Sequence, residues 1–349
     1  MTVISMDLET RSLCDLKKTG GFRYAEDPST KILCYAYKID AGPILAVMGE
    51  HIPDLLRELI VGGATIQAWN GAGFDLPVWN ARFPDCTISL SQLDDPMDRA
   101  RAAGLPASLD NAAKFMGLDI RKDREGHRLM LELCNAENPE PTKAQLRRLL
   151  AYCEVDVEVE SNLSKLIPPL PEFEKRAALQ SHEINKRGIA VDLPLAKRAI
   201  KFAEAEAEEL TDRINYLTAG EVTRHTQVAR LKKWLGLENV QKATLEALLD
   251  DETVSPEHKA VMEIRLSGAK ASTAKFSAAV RTACADGRVR GAFVYGGAQT
   301  TMRYSGRILQ PHNMPRVTAS DPHQVLTDIE AGEVDSVYKA LSSLLRPMI

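Results

Sequence analysis

The 349-residue sequence lacks several patterns that would assign it to a particular class of protein. No run approaches the roughly 20 apolar residues of a membrane span, and the N-terminus has no basic segment followed by an apolar one. Its six cysteines form neither a Cys-x-x-Cys pair nor a zinc-binding pattern. We therefore expect a cytoplasmic protein with reduced thiols and no membrane attachment.

An excess of positive charge is also missing from the chain as a whole, because 44 basic residues face 48 acidic ones. The net charge of −4, taken alone, argues against a nucleic-acid binder. A local count reverses this, since residues 264–316 carry nine basic residues and one acidic residue. That density is typical of proteins that bind a phosphate backbone, and a solvated basic surface is the alternative.

The first strand carries two carboxylates. Residues 3–10 alternate in a way that predicts a buried strand, and Asp7 and Glu9 project to the same face of it. Two neighbouring carboxylates repel each other unless a cation lies between them. The pair indicates either an edge strand with a solvated face or a divalent-metal site built from hard oxygen ligands.

A third carboxylate follows the next predicted strands. Residues 31–37, 43–48 and 64–69 read as strands, the first two joined in a hairpin, and 51–61 as an amphipathic helix. This order predicts an α/β layer structure. Asp75 comes just after a glycine-rich turn that follows the last of these strands, and it is either a helix N-cap or a third acidic group at the sheet edge.

A helix that begins at Thr142 contains the next candidate residues. Tyr152 and Asp156 are four positions apart and share one helical face, although such pairs are also common as a half-buried Tyr beside an exposed Asp. Three glutamates of the same helix are expected on other faces as solvated charges: Glu154, Glu158 and Glu160. Residues 121–128 predict a basic loop, either solvated or in contact with phosphate, and His127 is not assigned to metal.

Together, these acidic residues and the tyrosine resemble the three motifs of proofreading 3′–5′ exonucleases of the ribonuclease-H-like family. The order is Asp7 with Glu9, then Asp75, then Tyr152 with Asp156. The resemblance implies an α/β fold in which a mixed sheet is flanked by helices. One departure is that Asn70 lies five residues before Asp75, whereas the family places an Asn four residues before its Asp.

The resemblance also implies a chemistry. Two divalent ions, Mg²⁺ first and Mn²⁺ as the alternative, suit hard carboxylates and hydrolyse phosphodiesters. Asp7 would bridge both ions, Glu9 and Asp156 would hold the ion on the water side, and Asp75 would act through the second. Tyr152 would orient the water, because a phenol with a pKa near 10 is a poor base. The substrate would be the 3′ end of single-stranded DNA, released as nucleoside monophosphates.

A second resemblance lies further along the chain. Residues 296–316 are similar to the Thr-Gly-Arg-x-Ser-Gly-Arg…Gln-Asn-Leu-Pro-Arg stretch of family A DNA polymerases, particularly phage ones, with Met302 and His312 as departures. Residues 265–276 resemble the thumb helix of that family. The resemblance implies primer-template contacts by seven residues: Lys270, Lys275, Arg303, Arg307, Gln310, Asn313 and Arg316.

The resemblances together predict three domains. They are a ribonuclease-H-like exonuclease (1–168), a mainly helical thumb-like DNA-binding domain (169–295) that begins at a proline-rich linker, and the start of a palm (296–349). The family's palm carboxylates would follow, so no polymerase activity is expected from this chain alone. Either a second polypeptide brings palm and fingers, or the sequence is shortened. The alternative function is a non-catalytic DNA-binding scaffold for a separate polymerase. If the protein is viral, it belongs in the host cytoplasm.

Overall fold

The computed structural model describes residues 2–118, 123–268, 273–316 and 318–349. The chain divides into two compact units. The first comprises Met1–Ala190 and Arg281–Gln310, and the second comprises Val191–Val280 and Pro311–Ile349. The predicted fold class, a mixed sheet flanked by helices followed by a mainly helical part, is confirmed.

A four-stranded mixed sheet forms the centre of the first unit. Its strands are β1 (Val3–Arg11), β2 (Lys31–Ile39), β3 (Ile44–Met48) and β4 (Thr65–Gln67), in the spatial order β3-β2-β1-β4. The hairpin predicted between β2 and β3 is present, and β4 pairs in parallel with β1. The central position of β1 explains why all of its residues except Val3 and Asp7 are buried, the polar ones included.

The pairing of β1 with β2 slips by one residue directly after Glu9. Glu9 lies opposite Cys34, whereas Thr10 lies opposite Ile32, so β2 has an extra residue at this point. Bulges of this kind bend a strand and redirect its side chains. The irregularity therefore falls at the position where β1 presents its second carboxylate.

Helices cover the sheet. In the first unit they are α1 (Leu16–Thr19), α2 (Gly21–Glu26), α3 (Asp54–Val61), α4 (Asp75–Arg82), α5 (Pro96–Ala102), α6 (Leu109–Phe115), α7 (Arg124–Leu133), α8 (Lys143–Leu166) and α9 (Glu172–Arg187). The longest, α8, begins as predicted at Thr142, whose hydroxyl accepts from the Gln145 amide while the Gln145 side chain accepts from the Thr142 amide. It packs against β1, β2 and β3.

One glycine allows α2 to contact the turn before α4 closely. A Cβ on Gly21 would lie 2.1 Å from the Gly73 carbonyl oxygen, a distance that only a residue without a side chain avoids. The turn that leads into Asp75 is therefore held from outside by backbone packing. No local sequence pattern indicates this contact.

Short strands complete the first unit. They are β5 (Ile189–Ala190), β6 (Arg288–Val289), β7 (Phe293–Ala298) and β8 (Arg303–Gly306). β5 pairs with β6 and β7 pairs with β8, in both cases antiparallel. Through these strands, residues 281–310 belong to the same compact unit as the sheet.

The second unit is helical. Its helices are α10 (Leu193–Leu217), α11 (Val228–Leu235), α12 (Lys242–Leu249), α13 (Pro256–Gly268), most of α14 (Ala274–Thr282), α15 (Pro322–Ala331) and α16 (Val337–Ser343). Their core includes Ile214, Leu231, Leu245, Val261 and Tyr338. Among the residues that the structure describes, no helix combines the length and the apolar character needed to cross a bilayer.

The compact units do not follow the predicted domain boundaries. Helix α9 lies beyond the prolines that were read as a linker, yet it belongs to the first unit, as do residues 281–310. The reason is that α9 packs against β7. This contact joins distant parts of the chain, and the sequence does not indicate it. The assignment of three functional domains stays a prediction. Residues 124–133, expected partly as a loop, form the helix α7.

Candidate active site

Asp7 and Glu9 lie together with Cys153, a thiol that no pattern in the sequence connects with them. One potential ligand atom of each of Asp7, Glu9 and Cys153 lies within 4.8 Å of the other two. The Cys153 thiol donates to the Asp7 carbonyl oxygen at 3.2 Å and to Asp7 Oδ2 at 3.4 Å. Burial raises the pKa of Cys153 well above its usual value, so the thiol stays protonated and acts as a hydrogen-bond donor to Asp7.

Asp75 is the first residue of α4, and it is buried. The turn that precedes it starts at Asn70, which adopts a left-handed conformation (φ 67°) and whose carbonyl oxygen accepts from the amides of Gly73 and Phe74. Asn tolerates this conformation better than most residues. The conformation of Asn70 thus fits a loop that is one residue longer than in the family that the sequence resembles. The backbone N–H of Asn70 donates to Asp95 Oδ1 at 3.1 Å.

Tyr152 and Asp156 share a face of α8, as predicted, and the phenol hydrogen-bonds to the carboxylate. The tyrosine side chain is buried against α7. A Cβ on Gly126 would come within 2.6 Å of the Tyr152 ring, so the missing side chain at Gly126 leaves room for the ring. Burial, and after it the charge of Asp156, raises the pKa of Tyr152, which keeps the phenol a donor.

The carboxylates influence one another electrostatically. Burial first, and then the charge of Asp156, raises the pKa of Asp7 to about 8. Burial and the charge of Asp7 raise the pKa values of both Glu9 and Asp75 well above their usual range. These mutual effects require the four groups to be near one another. The structure therefore brings together all five residues that the sequence singled out.

One glutamate was predicted wrongly. Glu160 was expected to be a solvated charge, but it is only 1% exposed, whereas Glu158 is exposed as expected. Its Oε2 accepts from the Trp69 amide at 3.1 Å, and burial together with the charges of Asp7 and Asp75 raises its pKa. The spacing contained the signal, because Glu160 lies four residues after Asp156 and i and i+4 residues share a helical face.

The donor set fits divalent cations. Within the described parts of the chain, Asp75 Oδ1 and Glu160 Oε1 are buried oxygens without a hydrogen-bond partner. Buried polar atoms are nearly always paired, and buried carboxylates at this density need compensating positive charge. Carboxylate oxygens are ligands for hard ions such as Mg²⁺ and Mn²⁺. Asp7, Glu9, Asp75 and Asp156 could hold such ions.

The residues predicted to bind DNA are divided between the two units. Arg303, Arg307 and Gln310 belong to the first unit, and Arg303 and Arg307 are exposed there. Lys275, Asn313 and Arg316 belong to the second unit. Lys270 lies outside the described residues. Met302, which replaces a glycine of the resembled motif, has a φ of 54°, the left-handed region that favours glycine.

Part of the basic segment is engaged within the protein. Arg290 pairs with Asp286 at 2.7 Å, Arg281 donates to the Lys18 carbonyl oxygen, and Arg288 donates to that of Gly188. These side chains fasten residues 281–290 to the first unit. The bonds to carbonyl oxygens leave the positive charges of Arg281 and Arg288 in place, and Asp286 is the one acidic residue already included in the local charge count.

Comparison with known proteins gives the following similarities. Residues 24–167 match a family model described as RNase_H superfamily (RNase_H_2), a range that includes Asp75, Tyr152 and Asp156 but begins after Asp7 and Glu9. The chain is 29% identical over 360 residues to the DNA polymerase of Bacillus phage SP02, covering 97% of this chain and 55% of that protein.

A solved structure with a similar fold is the POL domain of Pol1 from M. smegmatis, in complex with DNA primer-template and dNTP. The TM-score is 0.55 at 12% identity, over 91% of this chain and 53% of that one. At this identity the likeness concerns the fold alone. The chain spans about half the length of each of these two proteins.

Proposed function

From the premise that the chain contains an RNase H-like domain and is homologous to a phage DNA polymerase, we propose that it is a metal-dependent 3′–5′ exonuclease that acts on DNA and releases nucleoside monophosphates. The observation that carries the proposal is the convergence of Asp7, Glu9, Asp75 and Asp156 with Tyr152. We further propose that it serves as the proofreading and DNA-gripping part of a family A polymerase.

Each residue has a role in this proposal. Asp7 interacts electrostatically with Glu9, Asp75 and Asp156, and these four carboxylates would hold two divalent ions, with Mg²⁺ as the preferred metal. Asp7 would serve both ions, Glu9 and Asp156 would act beside the attacking water, and Asp75 would act through the second ion. The ions, when bound, supply Lewis acidity to the phosphodiester and lower the pKa of a water molecule.

Two further groups position these ligands. The Cys153 thiol holds the Asp7 carboxylate by a hydrogen bond, and the Tyr152 phenol donates to Asp156. The raised pKa of Tyr152 keeps the phenol protonated, so it would not act as a base; with its proton donated to Asp156, its oxygen could orient water as an acceptor. The 3′ end of a single strand would enter here, and the basic residues Lys275, Arg303, Arg307 and Arg316 would contact a primer-template.

Incubation of the chain with a 5′-labelled single strand of DNA and Mg²⁺ tests the proposal. We expect progressive shortening from the 3′ end, and no shortening when a chelator removes the metal. A strand that stays intact but shifts in a gel would favour the alternative function, a non-catalytic DNA-binding scaffold for a polymerase on a second polypeptide. Comparison of DNA and RNA strands defines the preferred substrate.

Tyr152→Phe removes the phenol that donates to Asp156 while it keeps the buried ring. We expect kcat to fall roughly 10- to 100-fold with little change in KM, because positioning of the water is lost and substrate binding is not. Single-turnover cleavage of the labelled strand measures this. Tyr216→Phe is the matched control, since Tyr216 is exposed on α10. An unchanged kcat in Tyr152→Phe would remove the phenol from the mechanism.

A further inference from the structure

A second group of potential metal ligands lies on α5 and α9 of the first unit. Asp95 caps the N-terminus of α5, Asp98 follows within its first turn, and His182 projects from α9. One potential ligand atom of each lies within 4.8 Å of the other two, and His182 Nε2 lies 2.5 Å from Asp98 Oδ2. None of the three belongs to the proposed catalytic set.

The two carboxylate oxygens of Asp95 differ in their surroundings. Asp95 Oδ1 accepts from the amides of Asn70 and Met97, at 3.1 and 2.9 Å. Within the described residues, its Oδ2 is buried and has no hydrogen-bond partner, in a residue that is 6% exposed. Buried carboxylate oxygens are almost always paired with a donor or a cation.

Among the described residues, protein cations pair with only one of the two carboxylates, Asp98. Asp98, which is 2% exposed, pairs with Arg101 at 3.3 Å and with His182. No side-chain cation that the structure describes pairs with Asp95. Burial, and next the charge of Asp98, raises the pKa of Asp95 to about 7. Two carboxylates at this depth therefore share one guanidinium and one imidazole.

A cavity gives access to the group. It has a volume of about 290 Å³, and Asp95, Asp98 and His182 form part of its wall together with Asp94 and Lys175. This space is large enough for several water molecules, each of which needs about 30 Å³. Water can therefore complete the coordination of an ion held by the three side chains.

We propose that Asp95, Asp98 and His182 bind a divalent transition-metal ion, Zn²⁺ or Mn²⁺, at a site separate from the proposed catalytic ions. An imidazole with two carboxylates suits Zn²⁺ and Mn²⁺ better than Mg²⁺, which prefers oxygen ligands alone. Three protein ligands leave a position for water, which the cavity supplies. As the ion binds, Asp98 and His182 release the proton that they share.

The ion would join three parts of the chain. It would link α5 to α9. Because Asp95 Oδ1 also accepts from the backbone N–H of Asn70, the ion would in addition fix the start of the turn that leads to Asp75. The site would thus position the proposed catalytic loop without touching substrate. The inference concerns metal binding and stands whether or not the chain cleaves DNA.

Zinc binding to the full chain tests the inference, with Asp7→Asn/Asp156→Asn as the background that disables the proposed catalytic ligands. After removal of metal by a chelator, we expect this background to bind one Zn²⁺ per chain in titration calorimetry, with release of protons that depends on the buffer. Adding His182→Gln should weaken the affinity at least about tenfold, since even outer-shell partners contribute that much. Zn²⁺ should also raise the Tm, and His182→Gln should make this rise smaller at the same Zn²⁺ concentration.

Control variants separate this site from surface binding. His51→Gln changes an exposed histidine and should leave zinc affinity as it is in the background. Asp98→Asn should weaken binding like His182→Gln, and if it does not fold, His182→Gln decides alone. No zinc bound by the background, or equal affinity with and without His182, would overturn the site. These experiments measure zinc binding and Tm but not DNA cleavage, so a failure of the proposed exonuclease would not change their outcome.

Discussion

Asp7→Asn should lower the rate of metal-dependent cleavage at least about a thousandfold, with the fold retained. Asp7 would be the ligand common to both proposed ions, and its charge also acts on Glu9 and Asp75, so its loss should disable the whole group. Lewis-acid stabilisation by bound metal is worth several kcal/mol, and about 4 kcal/mol corresponds to a thousandfold in rate. Single-turnover cleavage of a 5′-labelled strand measures the loss.

The fold of this variant is expected to survive because the substitution removes a charge from a repulsive group. Asn has nearly the same shape as Asp and can still accept from the Cys153 thiol. Asp85→Asn is the matched control, since Asp85 is exposed. Near-normal metal-dependent cleavage by Asp7→Asn, with a normal urea unfolding transition, would show that the proposed site is not the active site.

The metal-free chain should become less stable as the pH rises from about 5 to about 8. The pKa of Asp7 is about 8 in the folded chain and 3.8 ordinarily, so the folded state binds this proton more tightly than the unfolded state does. Its contribution to the free energy of unfolding is therefore greatest below pH 4 and is lost as the pH approaches 8. The pKa values of Glu9, Asp75 and Glu160 are raised too, so these groups act in the same direction.

Urea unfolding in a chelating buffer at pH 5.5 and pH 8.0 measures this effect, and we expect a loss on the order of a few kcal/mol. Saturating Mg²⁺ should remove most of the loss, because the ions bind the deprotonated carboxylates. Asp7→Asn should reduce the pH dependence, whereas Asp85→Asn should keep it. A metal-free chain that gains stability over this range would contradict the burial of these acids.

Much of the candidate site was predictable because its signals are local. The alternation along β1 places Asp7 and Glu9 on one face, the capping box at Thr142 starts α8, and the i,i+4 spacing aligns Tyr152 with Asp156. Each pattern depends on the geometry of one strand or one helix, which the sequence reports directly. Their order along the chain then allowed the resemblance to be recognised.

The error at Glu160 arose because its burial depends on a distant part of the chain. The i,i+4 spacing places Glu160 on the same helical face as Asp156, but the group that its carboxylate meets there, the backbone N–H of Trp69, is 91 residues away in the sequence. Arg281 likewise donates to a carbonyl oxygen 263 residues away, a contact that its neighbours in the chain do not indicate. Both contacts are long-range, and a residue type and its neighbours do not specify such partners.

The sequence by itself determined the α/β character of the first unit, the helical character of the second, and the candidate carboxylates with their tyrosine. Only the tertiary structure decided which other groups join them: Cys153 as a donor to Asp7, Glu160 as a further buried acid, and the meeting of Asp98 with His182 across 84 residues. The physical reason is that secondary structure follows from repeating local geometry. Burial and charge pairing instead depend on how separate elements pack.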